Sequence, residues 1–214
     1  MIGDISRRTI AKYLGYHGKT PEEATAALIE ASLKELSVLT PRHVLCRLPL
    51  TLNGDTVHIG GMTVQSKSLA AHLAGCGEAV LMAATLGAQA DQMIRKASAL
   101  HMSRAVVLHA CAAAMLEAYL NETGAALARE LADERLFLTP RYSPGYGDLP
   151  LSCHVEMLAI LEAGKRIGLS LTAENLLVPA KSVTAVLGIS PQKQSACIQN
   201  CGRCPNTACP FREE

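Results

Sequence analysis

The chain has no tryptophan, five tyrosines and two phenylalanines in 214 residues, so aromatics make up only 3%. A core must therefore be built from Ala, Leu, Val, Ile and Met, and the aromatic platforms on which single-stranded bases stack are missing. Charge is scarce and balanced: 18% of residues are charged, with 20 basic against 19 acidic side chains. Without a Lys/Arg cluster the electrostatic footprint of nucleic-acid binding is absent. The most apolar stretch, Leu69 to Ala90, contains His72, Glu78 and three glycines, and is expected to be buried core rather than a membrane helix. The opening Met1-Ile2-Gly3-Asp4 carries charge and lacks the apolar stretch of a signal peptide. A cytoplasmic location is expected, where structural disulfides are not. Internal repeats and low-complexity tracts are also lacking.

At 49% apolar residues, the length suits one domain or one domain with a small appendage. A helix is expected over 4–17, with Ile5, Ile10, Tyr13 and Leu14 near one face. Thr20-Pro21-Glu22-Glu23 has the form of a capped helix start: Thr20 as N-cap, Pro21 in the first position, Glu23 completing a capping box. The helix that follows runs to about Ser37 with Ala27, Leu28, Ala31 and Leu36 inward. From Arg42 the period becomes two, through Val44, Cys46, Leu48, Leu50 and Leu52, and Asn53-Gly54-Asp55 turns the chain into a second strand, Thr56 to Ile59. Pro49 marks an edge. A helix over Ser66–Leu73 and a buried strand over Glu78–Leu86 are expected next. Gln89 to about Asn121 is a long helical region with one break near His101, and its Ala-rich second half is the central helix. Further helices are expected over Gly124–Glu134 and about Leu151–Lys165, then a last strand over Ser182–Ile189. The order lacks a β-α-β rhythm, which implies an α+β fold with a bent antiparallel sheet around a long central helix.

The segment Arg141-Tyr142-Ser143-Pro144-Gly145-Tyr146-Gly147-Asp148-Leu149-Pro150 cannot be helical. Its prolines fix φ and extend the residues before them, and its glycines permit conformations that a Cβ blocks. The guanidinium matches a carboxylate bidentately, and tyrosine offers a rigid ring with a polar tip. The combination suits a small zwitterion such as an amino acid or a cofactor derived from one. A plain loop between two helices has the same composition.

The run Arg-x-x-Pro-Gly-Tyr at 141–146 resembles the S-adenosylmethionine-binding signature of the activation (reactivation) domain of vitamin B12-dependent methionine synthase. Leu171-Thr172-Ala173-Glu174-Asn175, Pro179 and Ser182-Val183-Thr184-Ala185 resemble the stretch that closes that domain, and Glu117-Ala118-Tyr119-Leu120 is similar to its Glu-Tyr-Leu helix. The likeness covers roughly residues 80–190, and the first thirty residues resemble the short, stand-alone members. It implies the same α+β architecture over residues 1–190, and a role in restoring oxidised cobalamin: reduction by one electron, then trapping of the reduced cobalt by the methyl group of S-adenosylmethionine. It further implies that Arg141 grips the methionine carboxylate, that backbone around Ser143 and Gly145 meets adenine and ribose, and that Tyr146 borders the methionyl part and the corrin. Glu117 is the candidate acid for the α-amino group. Asp148 departs from the small residue usual there and is expected to alter ligand charge preference. No corrinoid-binding Asp-x-His-x-x-Gly and no homocysteine or folate barrel is present, so the resemblance implies action in trans on a separate B12-binding methionine synthase subunit, with flavodoxin or ferredoxin as electron donor. An activator of another corrinoid methyltransferase, a non-catalytic binding module and a metal or redox protein on the same fold are the alternatives.

Residues 191–214 form a cysteine-rich tail. Cys197, Cys201, Cys204 and Cys209 fall within thirteen residues in C-x3-C-x2-C-x4-C spacing, in a polar segment with no packing reason to concentrate thiols. Four converging thiolates suit zinc or an iron–sulfur cluster equally. Cys46, Cys76, Cys111 and Cys153 lie in apolar contexts and are expected to be buried reduced thiols.

Overall fold

The computed structural model describes residues 5–16 and 18–192. In chain order the elements are α1 (Arg7–Tyr13), α2 (Glu23–Leu36), β1 (Arg42–Asn53), β2 (Thr56–Ile59), β3 (Met62–Gln65), α3 (Lys67–His72), β4 (Glu78–Thr85), α4 (Ala88–Leu100), α5 (Met102–Asp133), β5 (Phe137–Leu138), α6 (Cys153–Ile160), α7 (Ala163–Ile167), β6 (Ser170–Leu171), β7 (Leu177–Val178) and β8 (Ser182–Ser190). The main sheet is antiparallel throughout, in the order β3-β2-β1-β4-β8-β5, and β6 pairs with β7 separately.

The middle of the sheet is β4, buried on both faces. Val80, Met82 and Ala84 join α2, α4 and α5 in one core, with Ala185, Leu187 and Ile189 beside them. Ala79, Leu81 and Ala83 face the other way, into a second core with Val44, the β2–β3 hairpin, α3, α6 and α7. A strand covered on both sides has no wet face, which is why its sequence is continuously apolar rather than alternating. Burying Leu81 and Met82 completely contributes roughly 1.5–3 kcal/mol each.

The hairpin signal at Asn53-Gly54-Asp55 is realised, with Asn53 opposite Thr56 and Gly54 at φ +59°. Pro49 sits where β1 changes partner. Arg42–Pro49 pair with β4, Leu50–Asn53 pair with β2, and the Pro49 carbonyl accepts from Gly60 N–H at 3.1 Å. The missing proline donor thus falls where one ladder ends and the next begins.

The long helical region breaks at His101, whose extended backbone (φ −150°, ψ 102°) ends α4 and starts α5. Beyond that point the expectation of a separate helix over 124–134 is corrected: α5 runs unbroken to Asp133. A mid-helix glycine costs about 1 kcal/mol against alanine, and burial of Leu120, Thr123 and Leu131 around Gly124 outweighs it. By length and composition α5 could cross a membrane, yet its Ala- and Leu-rich face is packed within the first core.

Three further expectations change. The capping box at Thr20–Glu23 does not form: α2 begins at Glu23 with Glu22 as N-cap, and the Glu22 carboxylate instead accepts the Tyr16 hydroxyl at 2.8 Å. The buried face of α2 is Ile29, Ser32 and Leu36, whereas Ala27 and Ala31 are exposed. The helix expected over 151–165 is two short helices, divided where Glu162 adopts left-handed φ +48°.

Candidate ligand-binding site

The segment after β5 is laced to β8 before it bends. Thr139 N–H donates to Gly188 O at 2.9 Å, and Tyr142 exchanges both backbone hydrogen bonds with Val186, at 2.9 and 2.8 Å. The Tyr142 ring is 3% exposed, 5.0 Å from the His72 ring, and meets Tyr146 edge-on at 5.9 Å. His72 Nε2 lies 2.8 Å from Pro140 O. Gly145, at φ +93°, donates to Leu149 O at 2.8 Å, and Tyr146 N–H donates to Ser143 O at 3.1 Å. The bend is therefore closed by its own backbone, leaving Tyr146 58% exposed at its tip.

The Asp148 carboxylate, expected to alter ligand charge preference, is committed instead to the start of α3. Its carboxylate accepts Ser66 Oγ at 2.5 Å, Lys67 N–H at 2.8 Å and Ser68 N–H at 3.1 Å, so it occupies the N-terminus of α3. The Ser66 hydroxyl, seconded by those amides, holds its carboxyl down at about 2. The side chain is an anchor, tying the outer end of the bend to the neighbouring helix.

The inner end carries Arg141. Its guanidinium donates to Glu117 Oε1 and, at 3.0 Å, to Asn121 Oδ1. Glu117 and Asn121 are one turn apart on α5, so the helix presents an acid and an amide to the bend together. The Arg141 side chain is 18% exposed and that of Glu117 41%, so the pair lies at the rim rather than in the core. Tyr13 of α1 lies within electrostatic reach of it. Burial raises its phenol pKa first, then the Glu117 carboxylate and Tyr146, with Arg141 acting in the opposite sense. Beside the pair, a cleft of about 280 Å³ between α1 and α5 is lined by Ser6, Thr9, Glu117, Ala118 and Asn121.

Of the residues singled out in the sequence, Arg141 and Glu117 touch, Tyr146 stands at the tip of the same bend, and Ser143 and Gly145 shape its backbone. Sequence reasoning missed Asn121 and Tyr13. Asn121 had a signal, because it lies one turn beyond Glu117 on a helix already recognised. Tyr13 had none beyond its place on the apolar face of a short helix.

Chemically, the site holds a fixed cation and a fixed anion, neutralising one another and open to solvent on one side. Each is half of the complement to an amino-acid head: guanidinium for carboxylate, carboxylate for ammonium.

The tail quartet Cys197, Cys201, Cys204 and Cys209 lies outside the described residues. Among the described residues, no three His, Cys, Asp or Glu side chains gather as a metal site. Cys111 and Cys153 are buried thiols, whereas Cys46 and Cys76, also expected to be buried, are only partly so, and burial pushes Cys111 up to about 12.

No family model matches the sequence, and no curated protein does. Among solved structures, the chain is similar to one described as the crystal structure of the MetH reactivation domain bound to AdoHcy, with a TM-score of 0.64 and 16% identity, covering 88% of this chain and 77% of that one. The shared fold is the antiparallel sheet with its long central helix.

Proposed function

We propose that the chain is a stand-alone activation subunit. It binds S-adenosylmethionine at the Arg141–Tyr146 bend and supports reductive methylation of cob(II)alamin on a separate, B12-binding methionine synthase in the cytoplasm. One observation carries the reading. The bend and α5 bring Arg141 and Glu117 together beside two tyrosines, on a fold whose solved counterpart is described as bound to AdoHcy.

The amino-acid end of the ligand enters between the paired charges, its carboxylate taking the Arg141 donors and its ammonium the Glu117 carboxylate. One internal ion pair becomes two intermolecular ones, which favours a zwitterion over a plain anion or cation. Backbone groups around Ser143 and Gly145 meet the adenosine, and the exposed Tyr146 ring borders the methionyl chain and the face that the corrin approaches. The contribution of this protein is positional: the sulfonium methyl is held in line between the departing sulfur and the partner's cobalt. Flavodoxin or ferredoxin supplies one electron. The reduced cobalt's electron pair then forms the bond to the methyl carbon, and the C–S bonding pair leaves with sulfur as S-adenosylhomocysteine. In the tail, the thiolates of Cys197, Cys201, Cys204 and Cys209 bind one metal centre, iron–sulfur or zinc.

Calorimetric titration with S-adenosylmethionine tests the site. Replacing a largely desolvated bidentate cation costs about 2–4 kcal/mol, so Arg141→Ala weakens binding by roughly 30- to 1,000-fold. Unchanged affinity in a folded Arg141→Ala protein rejects the assignment. Reactivation of oxidised B12-binding methionine synthase, measured with and without this chain, tests the activity.

A further inference from the structure

A second set of polar groups lies beside α4 and α5. A groove of about 460 Å³ between these helices is lined by Ile94, Met102, Ala105, Val106 and Ala110, with Tyr13 and His109 also on its wall. Met102 and Val106 are 66% and 53% exposed, so the apolar wall is wet. His109 touches a lysine that the fold has buried. Lys181, in the turn before β8, is 7% exposed, and its Nζ lies 3.2 Å from Nδ1 and 3.1 Å from Nε2 of the same His109 ring. A neutral imidazole offers one lone pair, so it can accept one of the three ammonium donors. No carboxylate forms an ion pair with Lys181 among the described residues. Asp91 of α4 is the nearby acid; its Oδ2 is held by Ala180 N–H at 2.7 Å, and its Oδ1 is buried without a hydrogen bond.

A buried ammonium with unused donors is costly unless something completes it. Burial, slightly offset by Asp91, lowers its pKa to about 8, and burial followed by Lys181 also lowers that of His109. Both groups are thus held toward their uncharged forms in the unliganded protein, and an incoming anion favours their charged forms. The apolar wall leading up to His109 selects what carries that anion.

We infer that this groove is a binding site for a small amphipathic carboxylate, whose apolar body lies along Ile94, Met102 and Val106 and whose carboxylate is received by His109, with the buried Lys181 ammonium in contact with that ring supplying the positive charge. The groove shares Tyr13 with the surroundings of Arg141 but is not lined by Arg141 itself, and the inference does not rest on what Arg141 binds.

The test uses the full chain, with hexanoate as the probe and 1-hexanol as its uncharged counterpart, followed through the His109 ring-proton resonances and by calorimetry. Saturable hexanoate binding that shifts those resonances, at least ten-fold tighter than 1-hexanol, is expected. Lys181→Met should abolish that preference while leaving weak alcohol binding, and His109→Gln should reduce it. Equal affinity for acid and alcohol, no saturable binding of either, or full hexanoate affinity in a folded Lys181→Met protein overturns the inference. Should Lys181→Met fail to fold, His109→Gln decides the matter through the same acid-to-alcohol ratio.

Discussion

Adding one methyl group at Gly147 should uncouple the candidate binding bend from the body of the protein. Gly147 has φ +53°, and a Cβ there would lie 2.5 Å from the Tyr142 hydroxyl, 2.6 Å from Ser68 Oγ and 2.8 Å from Ser68 Cβ. The left-handed conformation alone costs an alanine about 1–2 kcal/mol. Lower unfolded-state entropy returns about 0.4–1 kcal/mol. The contacts decide the rest. Ser68 can rotate its hydroxyl, but its Cβ cannot leave α3, and the Tyr142 ring is held between His72 and Tyr146. Relief requires the ring or the bend to move, at about 1–3 kcal/mol for displaced packing. The sum is a loss of roughly 2–4 kcal/mol, or about 5–15 °C in melting temperature for a chain of this size. Gly54→Ala is the matched control, since φ is +59° there and nothing lies within 4 Å of the added Cβ. It should lose only about 1 kcal/mol. Thermal unfolding of the two variants separates steric contact from backbone strain. Equal losses would refute the claim that the bend packs against Ser68 and Tyr142.

The Asp148 anchor predicts acid sensitivity. Its folded pKa is depressed, so its contribution is present above the unfolded value near 3.8 and is lost as pH falls toward about 2; Asp148→Asn should flatten the stability curve across that window. Lys181 gives the alkaline counterpart. A base with a lowered folded pKa leaves the unfolded state holding more protons between about pH 8 and 10.5, so stability due to this group rises with pH there. Unfolding midpoints of Lys181→Met should be at or above wild type at pH 7 and lack that rise. For the tail, anaerobically purified protein should carry either brown charge-transfer absorption or stoichiometric zinc, and serine at Cys197, Cys201, Cys204 and Cys209 together should abolish it; full metal content in that variant contradicts the four-thiolate site.

Much of the fold could be read in advance because its strongest signals are local. Asn53-Gly54 sets a hairpin whose register follows from alternation on either side, and β4 is apolar because two cores share it. The errors have physical causes. Gly124 looked like a helix boundary because propensity is local, whereas the burial that overrides it comes from partners distant in sequence. Thr20-Pro21 looked like a cap, but Tyr16 engages Glu22 and the helix starts later. Asp148 looked like a ligand-facing charge because a loop gives no sign of which helix it will meet, and α3 lies eighty residues earlier. At the candidate site, Arg141 and Glu117 could be named from their motifs, though not their contact, since 24 residues separate them and only the fold closes that distance. Lys181 was invisible for the opposite reason: a lysine between alanine and serine in a turn has every mark of an exposed residue, and only the fold, which ties its carbonyl to Leu86 N–H and sets its side chain against His109, buries it.

The measurement that bears most directly on the account is a crystal structure of the protein soaked with S-adenosylmethionine. The account predicts the Arg141–Glu117 contact opened, with the ligand carboxylate on the guanidinium and its ammonium on Glu117. A bend left empty at saturating ligand, with that ion pair intact, would contradict it.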